Sequence, residues 1–173
     1  GSRGLGDVYK RQVRDCIVGK DTTINASQVN ESTIGSHTTV GPFTYVRPNC
    51  CIGDHCRVGD FVEVKNSVIG DGTKISHLTY VGDSDVGQRV NFGCGTVTTN
   101  YDGHKKHRCT IGDDVFLGCN TNLIAPVTVA DRAYTAAGST VTDDVPEGAL
   151  AIARQRQTNI RGWADRLRKT WKK

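Results

Sequence analysis

The chain contains no methionine, only four prolines and few aromatic side chains, which make up 6% of its 173 residues. No apolar run approaches the roughly 20 residues that a helix needs to cross a bilayer, and no apolar secretory segment opens the sequence. These absences predict a soluble single domain without a bulky aromatic core. Glycine is abundant, at 20 residues, which favours repeated packing of small residues.

Cysteine occurs seven times, but no two cysteines have the C-x-x-C spacing. An odd number of cysteines in a chain of this length favours free thiols in a reducing compartment, so cytoplasm is the expected location. The net charge of +4 is uneven, because residues 154–173 alone carry eight basic side chains and one acid. The remaining, acidic part of the chain argues against a nucleic-acid-binding protein. The basic tail is interpreted either as a solvated helix face or as an attractor of phosphates.

An apolar residue recurs about every six residues along most of the chain. The series has 21 positions from Val18 to Val141, with fifteen steps of six, four of five and one of thirteen. Small or β-branched residues follow four positions later. This period is typical of a parallel β-helix, in which three hexads close a triangular coil of about 18 residues. The sequence therefore predicts an all-β hexapeptide-repeat fold of about seven coils, with Cys50 and Cys56 on the inner column rather than in a zinc site.

Three segments lie outside this repeat. Residues 1–12 match no hexad and begin with Gly-Ser, so we interpret them as a cloning or assembly scar that precedes a domain spanning 13–153. Residues 99–110 are a polar excursion loop, and such a loop favours a functional role. Residues 154–173 form a basic tail that is expected to cap the solenoid end or dock on a neighbour. A short amphipathic helix is predicted there from four apolar residues at helical spacing: Ile160, Trp163, Leu167 and Trp171.

The repeat also predicts which side chains stack in neighbouring coils. His77 is expected one coil from Cys94, beside a column of small residues that continues through Cys119 and Ala137. This column indicates either the end of a groove for an elongated ligand or a polar residue at a bend. The histidines of the excursion loop have no carboxylate cluster beside them, so no metal site is predicted there.

A second column stacks two cations. Arg47 and Lys65 are 18 residues apart, and both occupy the slot that glycine usually fills. Two like charges about 5 Å apart repel each other unless an anion bridges them. The stacking therefore favours a phosphate or carboxylate ligand, although Glu63 is close enough in sequence to neutralise the pair instead.

Between Gly41 and Arg154 the chain resembles one family. It is the C-terminal acetyltransferase domain of the bacterial bifunctional N-acetylglucosamine-1-phosphate uridyltransferase/glucosamine-1-phosphate acetyltransferase. The strings that carry the resemblance are GPFTYVRP, GDFVEVKNS, SHLTYVGD, VNFGCGTVTTNYDG, IGDDVFLGCNTNLIAPVTV, AAGSTVTDDVP and ALAIARQRQ. SHLTYVGD followed by NYDG is far narrower than the hexads, which many acyltransferases share.

The resemblance implies a role for each of twelve residues. His77, in SHLTY, would be the general base. The residues that would bind the phosphorylated amino sugar are Arg47, Lys65, Tyr80, Asn91 and Lys106. The residues that would bind acetyl-CoA are Cys94, Asn100, Tyr101, Cys119, Ala137 and Arg154.

The resemblance also implies a left-handed β-helix, although right-handed crossovers are the general preference, and a homotrimer with its sites in the grooves between the prisms. The implied reaction is acetyl transfer from acetyl-CoA to the amine of glucosamine 1-phosphate, for UDP-N-acetylglucosamine and cell-wall synthesis. No metal, nucleic acid or membrane is implied as a partner. The sequence lacks the family's uridyltransferase domain, so the chain is expected to be one domain of a longer protein.

Three alternatives stay open at this stage. The first is another acyltransferase of the same fold, such as a serine acetyltransferase or a succinyltransferase, although the stacked cations favour a phosphorylated acceptor. The second is a γ-type carbonic anhydrase, which needs three histidines on zinc, and besides His77 only His37 and His55 lie in the coils. The third is a non-catalytic trimeric scaffold.

Overall fold

The computed structural model describes residues 12–171, and almost every regular element in this range is a short strand. The strands are β1 (Gln12–Arg14), β2 (Ile17–Val18), β3 (Thr23–Ile24), β4 (Gln28–Asn30), β5 (Thr33–Ile34), β6 (Thr39–Val40), β7 (Tyr45–Val46), β8 (Cys51–Ile52), β9 (Arg57–Lys65), β10 (Val68–Ile69), β11 (Lys74–Gly82), β12 (Ser84–Val86), β13 (Asn91–Phe92), β14 (Val97–Thr99), β15 (Cys109–Ile111), β16 (Phe116–Leu117), β17 (Asn122–Ile124), β18 (Val127–Val129), β19 (Tyr134–Thr135), β20 (Thr140–Val141) and β21 (Leu150–Ala151). A helix, α1 (Trp163–Thr170), follows them.

The strands stack in parallel on three faces of a prism. Face one runs through β3, β6, the start of β9 and the start of β11 to β13, β16, β19 and β21. Face two runs through β1, β4, β7 and the ends of β9 and β11 to β14, β17 and β20. Face three holds β2, β5, β8, β10, β12, β15 and β18. Because β9 and β11 turn the corner from face one to face two, the coils that contain them are the most continuous part of the prism.

The predicted parallel β-helix is confirmed, but it has about eight coils rather than seven. The additional coil comes from both ends of the series. Val13 pairs with Val29 below the first predicted hexad, while Val145 bridges to Val129 and Ala151 pairs with Thr135 above the last ones. Val145 follows Val141 by only four residues, which breaks the series at that end, whereas Val13 precedes Val18 by five. Strand β1 begins at Gln12, one residue inside the segment interpreted as a scar; residues 1–11 lie outside the described range.

One apolar column on each face meets the others at the prism axis. The inner side chains are almost entirely buried, with Val46, Val58, Val64 and Val81 at 0% exposure. Cys50 and Cys56 lie in this core and the neighbouring Cys51 is exposed, as the repeat predicts. Burial of a Val or Leu side chain contributes about 1.5 to 3 kcal/mol relative to exposure. The stacked core is therefore the main source of stability.

Threonines on the inner column satisfy their hydroxyl groups within the stack. Thr38 donates to the Gly53 carbonyl at 2.8 Å, and Thr73 donates to the Gly87 carbonyl at 2.8 Å. Each donor thereby bonds a backbone oxygen of the next coil, which removes the cost of burying a polar group.

The C-terminal helix is confirmed at Trp163–Thr170, and none of its residues is buried. Within residues 12–171 the structure contains no helix with the length and apolar character needed to cross a membrane.

Candidate functional site

Face two carries a cluster of three cations and two carboxylates. Arg47 directly follows β7 and Lys65 ends β9, and the pairing of Val46 with Val64 places them in neighbouring coils. Arg47 Nη1 donates to Glu63 Oε1 at 3.1 Å, so Glu63 does neutralise one of the two cations. Lys65 Nζ donates to Asp83 Oδ2 at 3.1 Å.

Lys106 from the excursion loop brings a third cation to this cluster. The pKa of Lys106 lies below its ordinary value because its side chain adjoins that of Lys65, and Arg47 adds to the repulsion. Partial burial acts to lower the pKa of Lys65, but its ion pair with Asp83 acts in the opposite direction and raises the pKa. Three cations facing two carboxylates leave a positive excess that an anionic ligand would neutralise.

Asp83 is the buried centre of this cluster. Its side chain is 6% exposed, and it accepts hydrogen bonds from Asn66 Nδ2 at 2.8 Å, from Asn100 Nδ2 at 2.7 Å and from Lys65. Burial acts to raise the pKa of this carboxyl, but the three donors outweigh burial and hold the pKa below its ordinary value. Asp83 therefore fixes the positions of Lys65 and Asn100 as a charged acceptor.

Tyr80 packs against this network from the middle of face two. Asn100 Nδ2 also lies 3.2 Å from the Tyr80 hydroxyl. The ring of Tyr80 passes over Gly82, where a Cβ would collide with the hydroxyl. A side chain at position 82 would therefore displace Tyr80 and Asn100 from their contact. The resemblance assigns Asn100 to acetyl-CoA. In the structure it lies beside Tyr80 and Lys65, which the resemblance assigns to the sugar phosphate.

The excursion loop is a compact turn closed by its own contacts. An antiparallel bridge joins Tyr101 to Lys106. Asp102 accepts from the backbone amides of His104 and Lys105 at 2.7 Å each and pairs with His107 Nε2 at 2.7 Å. These three hydrogen bonds, led by His107, lower the pKa of Asp102 to about 2. The turn directs Lys106 back towards Lys65.

His77 lies on the corner between faces one and two, on the same strand as Tyr80. It is exposed and pairs in register with Asp60. Among residues 12–171, no side chain forms a hydrogen bond with its imidazole, whereas its backbone carbonyl accepts from Thr79 Oγ1 at 2.9 Å. The ring is therefore positioned by β11 and remains available to an incoming donor or acceptor.

The small column predicted beside His77 is present along this corner. Gly95 N donates to Leu78 O, Asn120 N donates to Cys94 O and Gly138 N donates to Cys119 O, each at 2.8 Å. These bonds stack His77, Cys94, Cys119 and Ala137 in successive coils. Arg154 Nη1 bonds the Ala137 carbonyl at 2.8 Å and so lies at the far end of the column. We call these five residues the corner strip.

An apolar ridge, consisting of Phe43, Phe61 and Leu78, lies beside the corner strip. The three side chains are 57–59% exposed, and the rings of Phe43 and Phe61 stack with centroids 5.7 Å apart. Between this ridge and Tyr80 runs a groove of about 910 Å³ that also reaches Glu63. Face two is thus bounded by His77 and the ridge on one edge and by the cation cluster on the other.

Two predicted residues form no side-chain hydrogen bond with this arrangement within residues 12–171. Asn91 belongs to face one, where it pairs with Lys74 and Phe116. Tyr101 is 55% exposed in the loop and donates to the Gly103 carbonyl at 2.9 Å.

Neither Asp83 nor Asn66 is among the site residues predicted from the sequence. Asp83 lies 18 residues after Lys65, but the register of this coil is 17 residues and pairs Lys65 with Gly82, so the stacking rule does not single out Asp83. The pattern gave no sign that a charged residue there would be buried.

Replacing Asp83 with asparagine should destabilise the fold. The amide would place a donor against three donors, and we expect a loss of about 2 kcal/mol in the free energy of unfolding at pH 7. Folding lowers the pKa of Asp83, so its ionised form stabilises the fold above the unfolded value of about 4. That contribution is lost as the pH falls through the folded pKa.

Urea unfolding between pH 7 and pH 3 measures both effects. Asp83→Asn should be less stable at pH 7 and should lose less stability than the parent below about pH 4. The control is Asp85→Asn, because Asp85 forms an exposed ion pair with Arg108 that contributes at most about 1 kcal/mol. Equal pH profiles for the parent and Asp83→Asn would contradict the assignment.

No group of three or more histidine, cysteine, aspartate or glutamate side chains is placed to hold a metal ion within the described part of the chain.

Two family models and several known proteins match this chain. The family model of the GMPPB C-terminal domain matches residues 28–116, and the model of the bacterial transferase hexapeptide (six repeats) matches residues 108–143. The UDP-N-acetylglucosamine acyltransferase from Campylobacter jejuni has a similar structure, with a TM-score of 0.56 over 94% of this chain and 82% of that one. Its sequence identity is 16%, so this likeness shows a common fold.

Sequence identity to curated relatives is much higher. The bifunctional protein GlmU of Clostridium perfringens (strain SM101 / Type A) is 59% identical over 149 residues, which are 86% of this chain and 33% of the relative. GlmU of Oceanobacillus iheyensis is 62% identical over 158 residues, covering 91% of this chain and 35% of the relative. The chain spans about a third of the length of these relatives. It belongs to the hexapeptide-repeat acyltransferases, in the family of the C-terminal acetyltransferase domain of GlmU.

Proposed function

We propose that the chain transfers the acetyl group of acetyl-CoA to the amine of glucosamine 1-phosphate. The observation that carries the proposal is that one strand borders both the corner strip and the cation cluster. Strand β11 presents His77 in the corner strip and Tyr80 beside the cation cluster. An elongated acyl donor fits the small side chains of the strip, and a sugar phosphate fits the cations.

The chemistry follows from these placements. An ammonium group has no lone pair for attack on a thioester, so a base must take a proton from the amine of the acceptor. His77 accepts this proton, because a neutral imidazole is a suitable base near pH 7. The amine nitrogen forms the new bond to the carbonyl carbon, the carbon–sulfur bond breaks, and the coenzyme leaves as its thiolate.

The cation cluster positions the acceptor through its phosphate. Arg47, Lys65 and Lys106 supply the positive excess, while Glu63 and Asp83 hold two of them in place before the ligand arrives. Pre-organised donors of this kind lower the entropic cost of binding. Arg154, at the far end of the corner strip, is placed to meet an anionic part of the acyl donor.

We also propose a homotrimer, with each site completed between two prisms. The exposed ridge of Phe43, Phe61 and Leu78 supports this assembly, because contiguous apolar surface on a protein is typical of an interface. Asn91, which lies on face one, would reach the cluster from a neighbouring chain.

The test is release of free thiol from acetyl-CoA by the purified chain. We expect thiol release that depends on glucosamine 1-phosphate and is much slower with glucosamine, which has the amine but no phosphate. Mass measurement of the oligomer accompanies the assay. A trimeric preparation that releases no thiol would contradict the proposed reaction and leave a binding scaffold, whereas equal rates with both amines would contradict the role of the cations.

A further inference from the structure

The described chain has seven free cysteines in distinct surroundings. Cys50, Cys56 and Cys109 are buried in the core, where desolvation raises the pKa of each thiol. Cys94 is half-buried and Cys119 is exposed, and both lie in the corner strip. The core thiols are therefore protected from reagents in solution, whereas Cys94 and Cys119 are accessible.

Cys94 and Cys119 are neighbours in the stack. Phe92 pairs in register with Leu117, and the bond from Asn120 N to Cys94 O continues that alignment past the corner. Parallel strands stack about 4.8 Å apart, which lies inside the range of about 4.4 to 6.8 Å between Cα atoms that a disulfide spans.

Outward side chains in neighbouring coils face each other elsewhere on this prism. The rings of His37 and His55 stack with centroids 4.9 Å apart, and those of Phe116 and Tyr134 stack at 5.1 Å. Phe43 and Phe61, on the apolar ridge beside the corner strip, stack in the same way. Equivalent positions in successive coils therefore point their side chains in the same direction, side by side.

We propose that Cys94 and Cys119 form a thiol-modification site that exchanges with small disulfides and closes to an intramolecular disulfide. One cysteine thiolate attacks a sulfur of the small disulfide and expels one thiolate, leaving a mixed disulfide on the protein. The second cysteine thiolate then attacks the protein-bound sulfur and expels the other thiolate. The two cysteine thiols are oxidised, the small disulfide is reduced to two thiols, and their protons transfer to the two products.

Closure changes the surface of the corner strip. Two separate thiols become a single unit with sulfur atoms about 2.05 Å apart, directly between His77 and Ala137. This consequence rests on the proposed function, in which the strip receives the acyl donor. We expect closure to raise the KM for acetyl-CoA and to leave the KM for glucosamine 1-phosphate nearly unchanged.

The test uses the full chain in a Cys16→Ser, Cys51→Ser background, which removes the other two thiols outside the core. The background protein is incubated with oxidised glutathione and its intact mass is measured. We expect a loss of about 2 Da with no retained glutathione, reversed by dithiothreitol. Two single variants, Cys94→Ala and Cys119→Ser, are made separately in the same background. Each should instead retain a glutathione adduct of about 305 Da. Thermal unfolding checks that all three proteins fold.

A stable glutathione adduct on the background protein would overturn the proposed disulfide between Cys94 and Cys119. A mass loss of about 2 Da in either single variant would overturn it as well. An oxidised protein whose KM for acetyl-CoA rises less than about threefold overturns the effect on the strip; we expect about tenfold. Reduced protein that releases no thiol from acetyl-CoA contradicts the proposed function instead, and the mass measurement still decides the disulfide.

Discussion

Replacement of His77 by alanine should lower the rate of acetyl transfer at least about a hundredfold, because removal of a positioned general base typically costs between about 10² and 10⁴ in rate. His77 is exposed on the corner of the prism and takes no part in the core. The loss should therefore appear in kcat with little change in stability. Initial rates of thiol release at saturating acetyl-CoA and glucosamine 1-phosphate measure it.

His55→Ala is the matched control for this prediction. His55 is also an exposed histidine at a corner, where its ring stacks on His37. That corner joins faces three and one, away from the corner strip. We expect its rate to stay within about twofold of the parent. A His77→Ala protein that retained more than a tenth of the parental rate would show that another group, or water, accepts the amine proton.

Replacement of Lys65 by alanine should raise the KM for glucosamine 1-phosphate about fiftyfold, since a hydrogen bond to a charged group contributes about 1.5 to 3 kcal/mol. Lys65 is the cation that lies between Arg47 and Lys106, and its side chain is 16% exposed. The KM for acetyl-CoA should change less than about twofold, because the corner strip is untouched.

Two further proteins separate a binding role from a structural one. Lys65→Ala leaves Asp83 without one of its three donors, so the variant must be shown to fold by its urea transition. Lys65→Arg keeps the charge and should recover most of the affinity for the sugar phosphate. Lys74→Ala, on the exposed side of face one, is the control. If Lys65→Ala raised the KM for unphosphorylated glucosamine by the same factor, its proposed phosphate contact would be wrong.

Most of the fold could be predicted because the hexad signal is local. Each inner residue, such as Val58 or Val64, has a preference for burial that does not depend on distant contacts. The spacing between successive inner residues then fixes which residues stack in neighbouring coils. The same rule predicted the neighbours His77 and Cys94. It failed at the C-terminal end, where Val145 follows Val141 by only four residues, and it was not extended to Val13, five residues before Val18.

The partners of the site could not be predicted in the same way. The repeat places Arg47 beside Lys65, but it does not say that Arg47 pairs with Glu63 and Lys65 with Asp83, because those choices depend on side-chain conformation and on the local dielectric. It also gives no path for the excursion loop, which has no hexad to hold it.

The sequence by itself determined a parallel β-helix, its inner columns and the order of residues along the corner strip, because a periodic chain repeats the same local packing problem in every coil. Only the tertiary structure decided the eighth coil, the burial of Asp83 beneath Lys65 and Asn100, and the return of Lys106 to the cation cluster. Those features depend on contacts between residues whose relative positions are set by the stack as a whole and by a loop that leaves it.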